Sequence, residues 1–522
     1  MANYNVERIA YHTDSEASQY IQRYLNDLAL QQGAWPKYYI QTFGCQQNES
    51  DSEKLSGILE NLGYAPGTSY EDADLILINT CSIRENADQR LFGHLGELKV
   101  LQEKKAHLKI AVCGCLPTQE EQNAKIRRSF SNVNLLFGPQ DIHRLPELLK
   151  EMYQRKKLLN AVSKENVVVE EIPVSRERKF RALVSIMYGC NNFCTYCMVP
   201  AARERERSRY WQDILAECQE IADSGTPEVM LLGQNVNAWG FDFKPSKARE
   251  LPSLEYTEED LKRLAALREG KFEDIEINTF PRLLAAIASI PGIKTIRYMS
   301  PHPRDFGGEM LAALKVVPEI ENHIHLPLQA GSDKVLKKMN RHYSAAHYLA
   351  LVKAIRKARE DISITTDIMV GFPTETEEDF EETLRLCREA EFSAAFSFIY
   401  SERPGTVAAK WEQIPLEIRH QRFDRLLELL QELTLRENES LVGTKRLVLI
   451  EGCSKQDAKV LSARDSEFHL INICSFAEDT LAAEAFAKGE DLNSAYFEAR
   501  FAIVEIEKAR PYSVEAKLLE LR

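Results

Sequence analysis

Three cysteines fall within eight residues, in the segment Tyr-Gly-Cys-Asn-Asn-Phe-Cys-Thr-Tyr-Cys at 188–197. Cys190, Cys194 and Cys197, the first cysteine set, have the spacing Cys-x3-Cys-x2-Cys. Thiolates are soft ligands, and three in one loop suit an iron–sulfur cluster. A [4Fe–4S] cluster usually takes four cysteines, so three would leave one iron open to a small molecule. Structural zinc is the alternative, but such a site needs four ligands, and the next cysteine, Cys218, lies in a helical pattern.

A second cysteine set, Cys45, Cys81 and Cys115, is spread along the chain before the first. Each member falls just past a predicted strand, at 38–43, 75–78 and 109–113. Helical patterns at 49–62, 84–101 and 118–128 and a fourth strand at 134–137 predict a small parallel sheet. Because parallel strands end at one edge of a sheet, these thiols should meet there and form a second open cluster. Cys113 lies within its strand, which makes Cys115 the better ligand; three unrelated core cysteines are the alternative.

The elements that must position the first cysteine set predict an incomplete (βα)6 barrel. Strand candidates lie at 183–187, 229–232, 295–299, 323–326, 364–370 and 396–400, with helical stretches between them and a further long one at 416–441. Chemistry in such barrels sits on the loops that follow the strands, and the first cysteine set follows the first strand. Residues 241–279 form an acidic insertion without strand character.

Two other loops at this end of the barrel carry amides and a glycine. Gly233, Gln234 and Asn235 follow the second strand, and Gln329 follows the fourth. Together with Arg203 we take them as candidates for binding a polar cofactor. Turn and helix-capping chemistry is the alternative, and it explains the same loops adequately.

The two ends of the chain differ from its centre. Residues 1–36 form a polar, partly helical leader that ends at Trp35-Pro36. After residue 441, β-type patterns at 446–451, 460–463, 468–473 and 495–506 predict either a small antiparallel barrel of the kind that holds RNA or a sandwich-like appendage.

Composition limits the class of protein. At 522 residues the chain should hold two to four domains. Eleven cysteines without a secretory signal or an apolar run of membrane length indicate reduced thiols, a cytoplasmic location and no membrane contact. The net charge is −13, yet residues 176–209 carry eight basic and three acidic side chains. This local net charge of +5 could attract a polyanionic substrate such as RNA, with Arg205, Arg207 and Arg209 as candidate contacts, unless the run is merely a solvated face.

The chain resembles the radical S-adenosylmethionine methylthiotransferases, in particular the MiaB type, over residues 37–440. The resemblance rests on both cysteine sets and on an ordered series of motifs: Thr-Phe-Gly-Cys-Gln-Gln-Asn at 42–48, Asn-Thr-Cys-Ser-Ile-Arg-Glu-Asn-Ala at 79–87, Leu-Gly-Gln-Asn-Val-Asn at 232–237, His-Leu-Pro-Leu-Gln-Ala-Gly-Ser at 325–332, Met-Asn-Arg at 339–341 and Thr-Asp-Ile-Met-Val-Gly-Phe-Pro at 366–373. Two positions depart from the family pattern: Glu204 stands where the family has glycine, and Ala201 where it has an aromatic residue.

The resemblance implies a fold and a reaction. The fold is α/β: a flavodoxin-like parallel-sheet domain at 37–160, a partial (βα)6 radical SAM barrel at 176–440, and a TRAM-like β-barrel at 441–522. The first cysteine set would hold the [4Fe–4S] cluster that binds and reductively cleaves S-adenosylmethionine. The second would hold an auxiliary [4Fe–4S] cluster carrying the sulfur. The product would be a methylthio group at C2 of N6-isopentenyladenosine at position 37, next to the anticodon of tRNA.

The resemblance also implies an electron donor such as flavodoxin or ferredoxin, and we expect a monomer. Sister activities on threonylcarbamoyl-adenosine in tRNA or on a ribosomal protein remain alternatives, although residues 46–48 and 82–85 favour the isopentenyl branch. A different class is a non-catalytic RNA-binding iron–sulfur protein in which Glu204 disables the cofactor site.

Overall fold

The computed structural model describes residues 6–81, 85–243, 250–477, 492 and 494–522, and it leaves out the side chains of 85–89 and 494–495. Residues 82–84 of the motif at 79–87 and 244–249 of the predicted insertion therefore lie outside the described residues. Among the described residues, no helix combines the length and apolar character that a membrane crossing requires.

The first described elements are strand β1 (Glu7–Ala10) and helix α1 (Ser15–Gln32). The Asp14 side chain accepts a hydrogen bond from the Glu16 amide at 2.8 Å and caps α1, which ends at Gly33 in the left-handed region. Ile21 and Leu25 are buried in the core of the following domain. The predicted leader is therefore packed on the first domain through this apolar helix face.

The first domain is a six-stranded parallel sheet with helices on both faces. Its elements are β2 (Lys37–Thr42), α2 (Gln46–Asn61), β3 (Ala65–Pro66), β4 (Leu75–Thr80), α3 (Glu85–Lys104), β5 (Lys109–Gly114), α4 (Glu120–Ser129), β6 (Leu135–Leu136), α5 (Leu145–Gln154) and β7 (Leu159–Asn160). The strand order is β3-β2-β4-β5-β6-β7. Every residue of β4 is buried, as expected for a strand covered on both faces. The predicted parallel sheet is confirmed, with β3 and β7 as short strands that the sequence did not indicate.

The central region is an open barrel of two three-stranded parallel sheets. Strand β8 (Val167–Glu170) precedes it and pairs with β1. The barrel strands are β9 (Arg181–Ser185), β12 (Glu228–Leu232) and β13 (Thr295–Tyr298), then β14 (His323–His325), β15 (Ser363–Val370) and β16 (Ala394–Ile399); a short hairpin of β10 (Met187–Tyr188) and β11 (Arg207–Ser208) follows β9. The six predicted strands thus form the predicted partial barrel, and a bridge between Ile296 and Ile320 links its halves.

Helices cover the outside of this barrel. They are α7 (Trp211–Asp223), α8 (Glu258–Arg268), α9 (Phe280–Ala288), α10 (Gly308–Val316), α11 (Asp333–Lys338), α12 (Ala345–Ala358), α13 (Glu377–Ala390) and α14 (Leu416–Ser440), whereas the short α6 (Val199–Ala202) lies between β10 and β11. Helix α8 belongs to the predicted insertion, where a Thr257–Asp260 capping box starts it and Leu264 and Leu267 join the main core. The insertion therefore adds a packed helix to the barrel exterior.

The C-terminal region is a closed five-stranded barrel, which excludes the sandwich alternative. Its elements are β17 (Lys445–Cys453), β18 (Leu461–Arg464), β19 (Leu470–Phe476), α15 (Ser494–Phe497), β20 (Phe501–Arg510) and β21 (Ser513–Leu521), with strand order β17-β18-β19-β21-β20. The predicted strand at 495–506 is wrong at its start, because residues 494–497 are helical. Strands β19 and β21 are parallel, so the barrel is not wholly antiparallel as expected.

The hairpin between β18 and β19 closes the amino-terminal end of the central barrel. Phe468 stacks on the His323 ring at 5.1 Å and lies 4.7 Å from the Arg297 guanidinium. Arg297 donates to the Asp465 carbonyl at 3.0 Å and pairs with Glu228 at 2.7 Å. This arrangement fills the floor of the barrel with a buried charge network and leaves its opposite end for ligands.

Candidate active site between two cysteine sets

The first cysteine set lies in a cysteine loop, residues 189–206, that the β10–β11 hairpin closes. The Cys197 amide donates to the Cys194 carbonyl at 3.0 Å, which turns the chain tightly. Gly189 has φ +75°, and a Cβ there would lie 2.1 Å from the Arg205 carbonyl oxygen, so only glycine fits this crossing. Local backbone geometry thus brings the three thiols of the loop together.

The electrostatics of the first cysteine set fit a cation-containing cluster. Burial, followed by the neighbouring Cys194 charge, raises the pKa of Cys197 to about 12. Burial and the Glu206 charge also raise the pKa of Cys190. Neighbouring thiols that oppose the ionisation of Cys190 and Cys197 form a donor set that a positively charged iron centre stabilises as thiolates. Arg341 supplies further positive charge, since its Nη1 donates to Cys194 Sγ at 3.5 Å.

The second cysteine set converges at the carboxyl edge of the parallel sheet. A Cβ placed on Gly44 would lie 2.7 Å from Cys81 Cβ, which shows how closely the loop after β2 approaches the end of β4. A hydrogen bond from the Cys81 thiol lowers the pKa of Cys45 to about 6. Arg203 Nε donates to Cys115 Sγ at 3.2 Å. Cys113 lies instead in the apolar core on one face of the sheet.

Arg203 connects the two sets. It follows Cys197 by six residues, yet its side chain is buried in the first domain. Its Nη2 forms a 2.6 Å ion pair with Asp51 of α2, and Asn48 accepts from the same nitrogen at 3.3 Å. The structure therefore places this predicted cofactor-binding residue at the second cysteine set, where it ties the loop of the first set to Cys115.

A polar seam between α2 and the barrel strengthens this connection. Gln47 Nε2 donates to Ser185 Oγ at 2.8 Å, at the end of β9. Lys54 Nζ donates to the Tyr188 hydroxyl at 2.8 Å. Gln234 bridges both sides, because its Oε1 accepts from the Gly189 amide at 2.5 Å while its Nε2 donates to Gln47 at 3.3 Å. The seam holds the two cysteine sets in a fixed relation.

The other predicted cofactor-binding residues lie at the carboxyl end of the barrel. Gly233 packs on Met187, where a Cβ would come within 2.6 Å of Met187 Cγ. Asn235 Nδ2 donates to Asp305 at 2.9 Å, whereas its buried Oδ1 accepts from none of the described residues. Gln329 adopts φ +71° and pairs through its backbone with β15. These residues are on the same barrel end as the first cysteine set.

The three predicted RNA-contacting arginines have different environments. Arg209 is buried and pairs with Glu170 and Glu217, each at 2.6 Å. Arg207 is also buried, and this desolvation lowers its pKa to about 10. Arg205 lies over the partly exposed Phe193 ring at 4.2 Å. Only Arg205 therefore lies near the surface in the structure.

Several supporting residues were not given a role by the sequence analysis. Asn340 Nδ2 donates to the Asn192 and Phe193 carbonyls at 3.0 and 3.1 Å. Arg304 Nη2 donates to Asn192 Oδ1 at 2.6 Å. The motif at 339–341 was a signal for Asn340 and Arg341, but nothing in the sequence pattern pointed to Arg304. These contacts brace the cysteine loop from the barrel side.

Glu204 lies at a backbone position that favours glycine. Its φ is +62°, and its carbonyl accepts from the Cys190 amide at 3.2 Å. The departure from the family pattern thus introduces a side chain where the left-handed conformation is costly. Ala201, the second departure, is exposed on α6.

Comparison with known proteins identifies the family. Residues 184–387 match the Radical SAM superfamily, and residues 37–138 match Uncharacterized protein family UPF0004. A tRNA-2-methylthio-N(6)-dimethylallyladenosine synthase from Caldicellulosiruptor saccharolyticus is 40% identical over 478 residues, which are 91% of this chain and 95% of the relative. The synthase of the same name from Desulforamulus reducens is 44% identical over 435 residues, covering 83% and 89%.

Among solved structures, the radical S-adenosylmethionine methyltransferase TsrM from Kitasatospora setae aligns with a TM-score of 0.48 at 12% identity, over 72% of this chain and 75% of that one. The identity and coverage of the sequence relatives, together with two converging cysteine sets, lead to one assignment. The chain belongs to the tRNA-2-methylthio-N6-dimethylallyladenosine synthase family of radical S-adenosylmethionine enzymes.

Proposed function

We propose that this enzyme adds a methylthio group to C2 of N6-isopentenyladenosine at position 37 of tRNA. The observation that carries the proposal is the bridge by Arg203, which joins the loop of the first cysteine set to Cys115 of the second. Sulfur insertion at an unactivated carbon requires both a means of activating that carbon and a sulfur source next to it. The names of the relatives favour this substrate over threonylcarbamoyl-adenosine or a ribosomal protein.

We assign the two clusters to the two cysteine sets. When bound, the [4Fe–4S] cluster on Cys190, Cys194 and Cys197 supplies the electron that cleaves S-adenosylmethionine, and the cluster on Cys45, Cys81 and Cys115 supplies sulfur. The protein's own residues hold and insulate these groups. Arg341 and Arg203 place positive charge beside Cys194 and Cys115.

The remaining site residues have positioning roles in this proposal. Gln234 fixes the start of the cysteine loop, and we assign Gly233, Asn235 and Gln329 to the binding of S-adenosylmethionine. The unpaired Asn235 Oδ1 is an acceptor available to a ligand donor. Arg205, stacked on Phe193 at the rim, would contact the tRNA backbone. Arg207 and Arg209 instead stabilise the hairpin that closes the loop.

Each domain has its own role in this proposal. We assign residues 1–36 to a leader, 37–160 to the auxiliary-cluster domain, 176–440 to the radical SAM core with its insertion at 241–279, and 441–522 to a TRAM-like domain that contacts tRNA. We further propose a monomer in the cytoplasm that receives electrons from a flavodoxin or ferredoxin. Size-exclusion chromatography tests the oligomeric state, and reduction with the purified carriers tests the electron donor.

Mass spectrometry of tRNA nucleosides tests the proposed reaction. A strain that lacks the gene should lose 2-methylthio-N6-isopentenyladenosine and accumulate the isopentenyl precursor, and the intact gene should restore the product. Retention of the methylthio nucleoside in the deletion strain contradicts the proposal. Loss of methylthio-threonylcarbamoyl-adenosine instead would assign the sister activity. If reconstituted protein binds iron but forms no 5′-deoxyadenosine with reductant, the non-catalytic alternative holds.

A further inference from the structure

The last strand of the central barrel carries two exposed aromatic side chains. Phe396 and Phe398 on β16 are 55% and 41% exposed. Ala395, just before Phe396, and Ile399, just after Phe398, pack against the main core. Strand residues alternate between faces, so the two rings share the face opposite to the helices. Large apolar side chains placed side by side on one strand face indicate a surface that a ligand covers.

The strand register shows that this face is the interior of the barrel. Phe396 pairs with Asp367 and Phe398 with Met369 on β15. The His325 ring of β14 meets Phe396 edge-on, with ring centroids 5.8 Å apart, and His325 Nε2 lies 3.3 Å from Asp367 Oδ2. The aromatic wall, defined as Phe396 and Phe398, therefore faces the barrel interior beside these groups.

The other half of the barrel carries a second, buried apolar cluster. Leu183, Met230 and Leu232, with Met299 packed against them, form a small cluster separate from the main core. They belong to β9, β12 and the end of β13, and their neighbours Val184 and Leu231 face the helices instead. Both halves of the barrel thus carry apolar side chains on their inner faces, above the charged floor.

The aromatic wall lies near the barrel end that holds the first cysteine set. Phe398 is one residue before the end of β16, at the barrel end that holds the cysteine loop. The segment that follows this strand is tied to that loop, because the Ala408 amide donates to the Thr195 carbonyl at 2.9 Å. A group seated on the wall would therefore lie on the barrel side of the cysteine loop.

Resting on the proposed function, we propose that Phe396 and Phe398 receive the dimethylallyl group of the substrate adenosine and make the enzyme specific for the prenylated base. The dimethylallyl group is apolar and branched, and its burial against the rings contributes binding energy that an unmodified adenosine lacks. The base itself would be extruded from the anticodon loop, where unpaired bases are free to leave the stack. The ribose and phosphates would remain at the rim beside Arg205.

Binding of anticodon stem-loop RNAs to the reconstituted enzyme tests this inference. We expect the wild type to bind RNA with N6-dimethylallyl-adenosine at least about tenfold more tightly than RNA with adenosine, with N6-methyl-adenosine in between. The double variant Phe396→Ala/Phe398→Ala should lower this preference to about twofold or less, and it should leave the affinity for unmodified RNA unchanged. Phe396→Leu, which keeps an apolar side chain, should retain most of the preference.

Val100→Ala is the matched control, because Val100 is equally exposed at 55% but lies on α3 of the first domain. It should behave as the wild type. The inference is overturned if the double variant weakens both RNAs equally, or if it raises the KM for S-adenosylmethionine while the preference persists. If the double variant does not fold, the wild-type series alone decides, since equal binding of the three RNAs contradicts an alkyl-binding wall. Failure of the proposed function can be told apart from failure of this inference, because the wild-type enzyme would then form no methylthio product from the prenylated RNA.

Discussion

Replacing Glu204 by glycine should stabilise the protein and leave its turnover equal or higher. Glu204 holds φ +62° in the cysteine loop, with its carbonyl bonded to the Cys190 amide. A residue with a Cβ loses roughly 1–2 kcal/mol in this region. Glycine removes that cost but raises the entropy of the unfolded chain by roughly 0.5–1 kcal/mol. The net gain expected for Glu204→Gly is therefore about 0.5–1 kcal/mol.

Anaerobic urea denaturation measures this gain, and 5′-deoxyadenosine formation measures turnover. Glu171→Gly is a matched control, because Glu171 has φ +60° outside the cysteine loop. Both variants should gain similar stability, and only Glu204→Gly can change cluster retention or turnover. Glu204→Gln removes the charge but keeps the strained backbone conformation. It therefore separates the effect of the charge from the effect of the backbone strain. A large loss of stability or turnover in Glu204→Gly, but not in Glu171→Gly, would refute the reasoning and show that the loop is built around the acid.

Three further predictions concern groups around the second cysteine set and α2. Arg203→Ala leaves Asp51 buried without its charge partner, so we expect the free energy of unfolding in urea to fall by about 3 kcal/mol. The iron content of the second cysteine set should also fall. Arg203→Lys should lose less stability and less iron. Gly114→Ala should abolish iron binding at the second set, because φ is +91° and the new Cβ would lie 2.4 Å from a backbone carbonyl of the neighbouring strand; native iron content in this variant contradicts the geometry. Burial raises the pKa of Glu53 to about 7, so its ionisation disfavours the folded state as pH rises from about 4.5 through 7. Glu53→Gln should therefore be more stable than the wild type at pH 8 by up to about 3 kcal/mol and about equal at pH 5, and a difference independent of pH refutes this cause.

Much of the fold was predictable because apolar runs alternate with helical patterns. Strand β4 illustrates this, since an uninterrupted apolar run predicts a strand buried on both faces. The C-terminal barrel was less predictable. Its β19–β21 pair is parallel and joins strands far apart in sequence, and no local pattern encodes that choice. The same holds for Phe468, whose position in the barrel floor depends on contacts between domains.

The candidate site shows the same limit. The convergence of Cys45, Cys81 and Cys115 followed from strand topology, because all three lie just past strand ends. The position of Arg203 did not follow, since it depends on Asp51 in another domain. A run of alternating arginines looks like an RNA-binding surface in sequence. In the structure Arg209 is instead neutralised by Glu170 and Glu217, which lie outside this run of arginines.

The most direct test of the central claim compares Cys115→Ala with Cys113→Ala in anaerobically reconstituted enzyme. The two cysteines lie two residues apart, yet Cys115 contacts Arg203 and Cys113 packs in the apolar core. Two [4Fe–4S] clusters give about eight irons per wild-type chain. Cys115→Ala should hold about half of that iron, still form 5′-deoxyadenosine and yield no methylthio nucleoside from prenylated tRNA, whereas Cys113→Ala should match the wild type. Full iron and normal methylthiolation in Cys115→Ala, or their loss only in Cys113→Ala, would contradict the account.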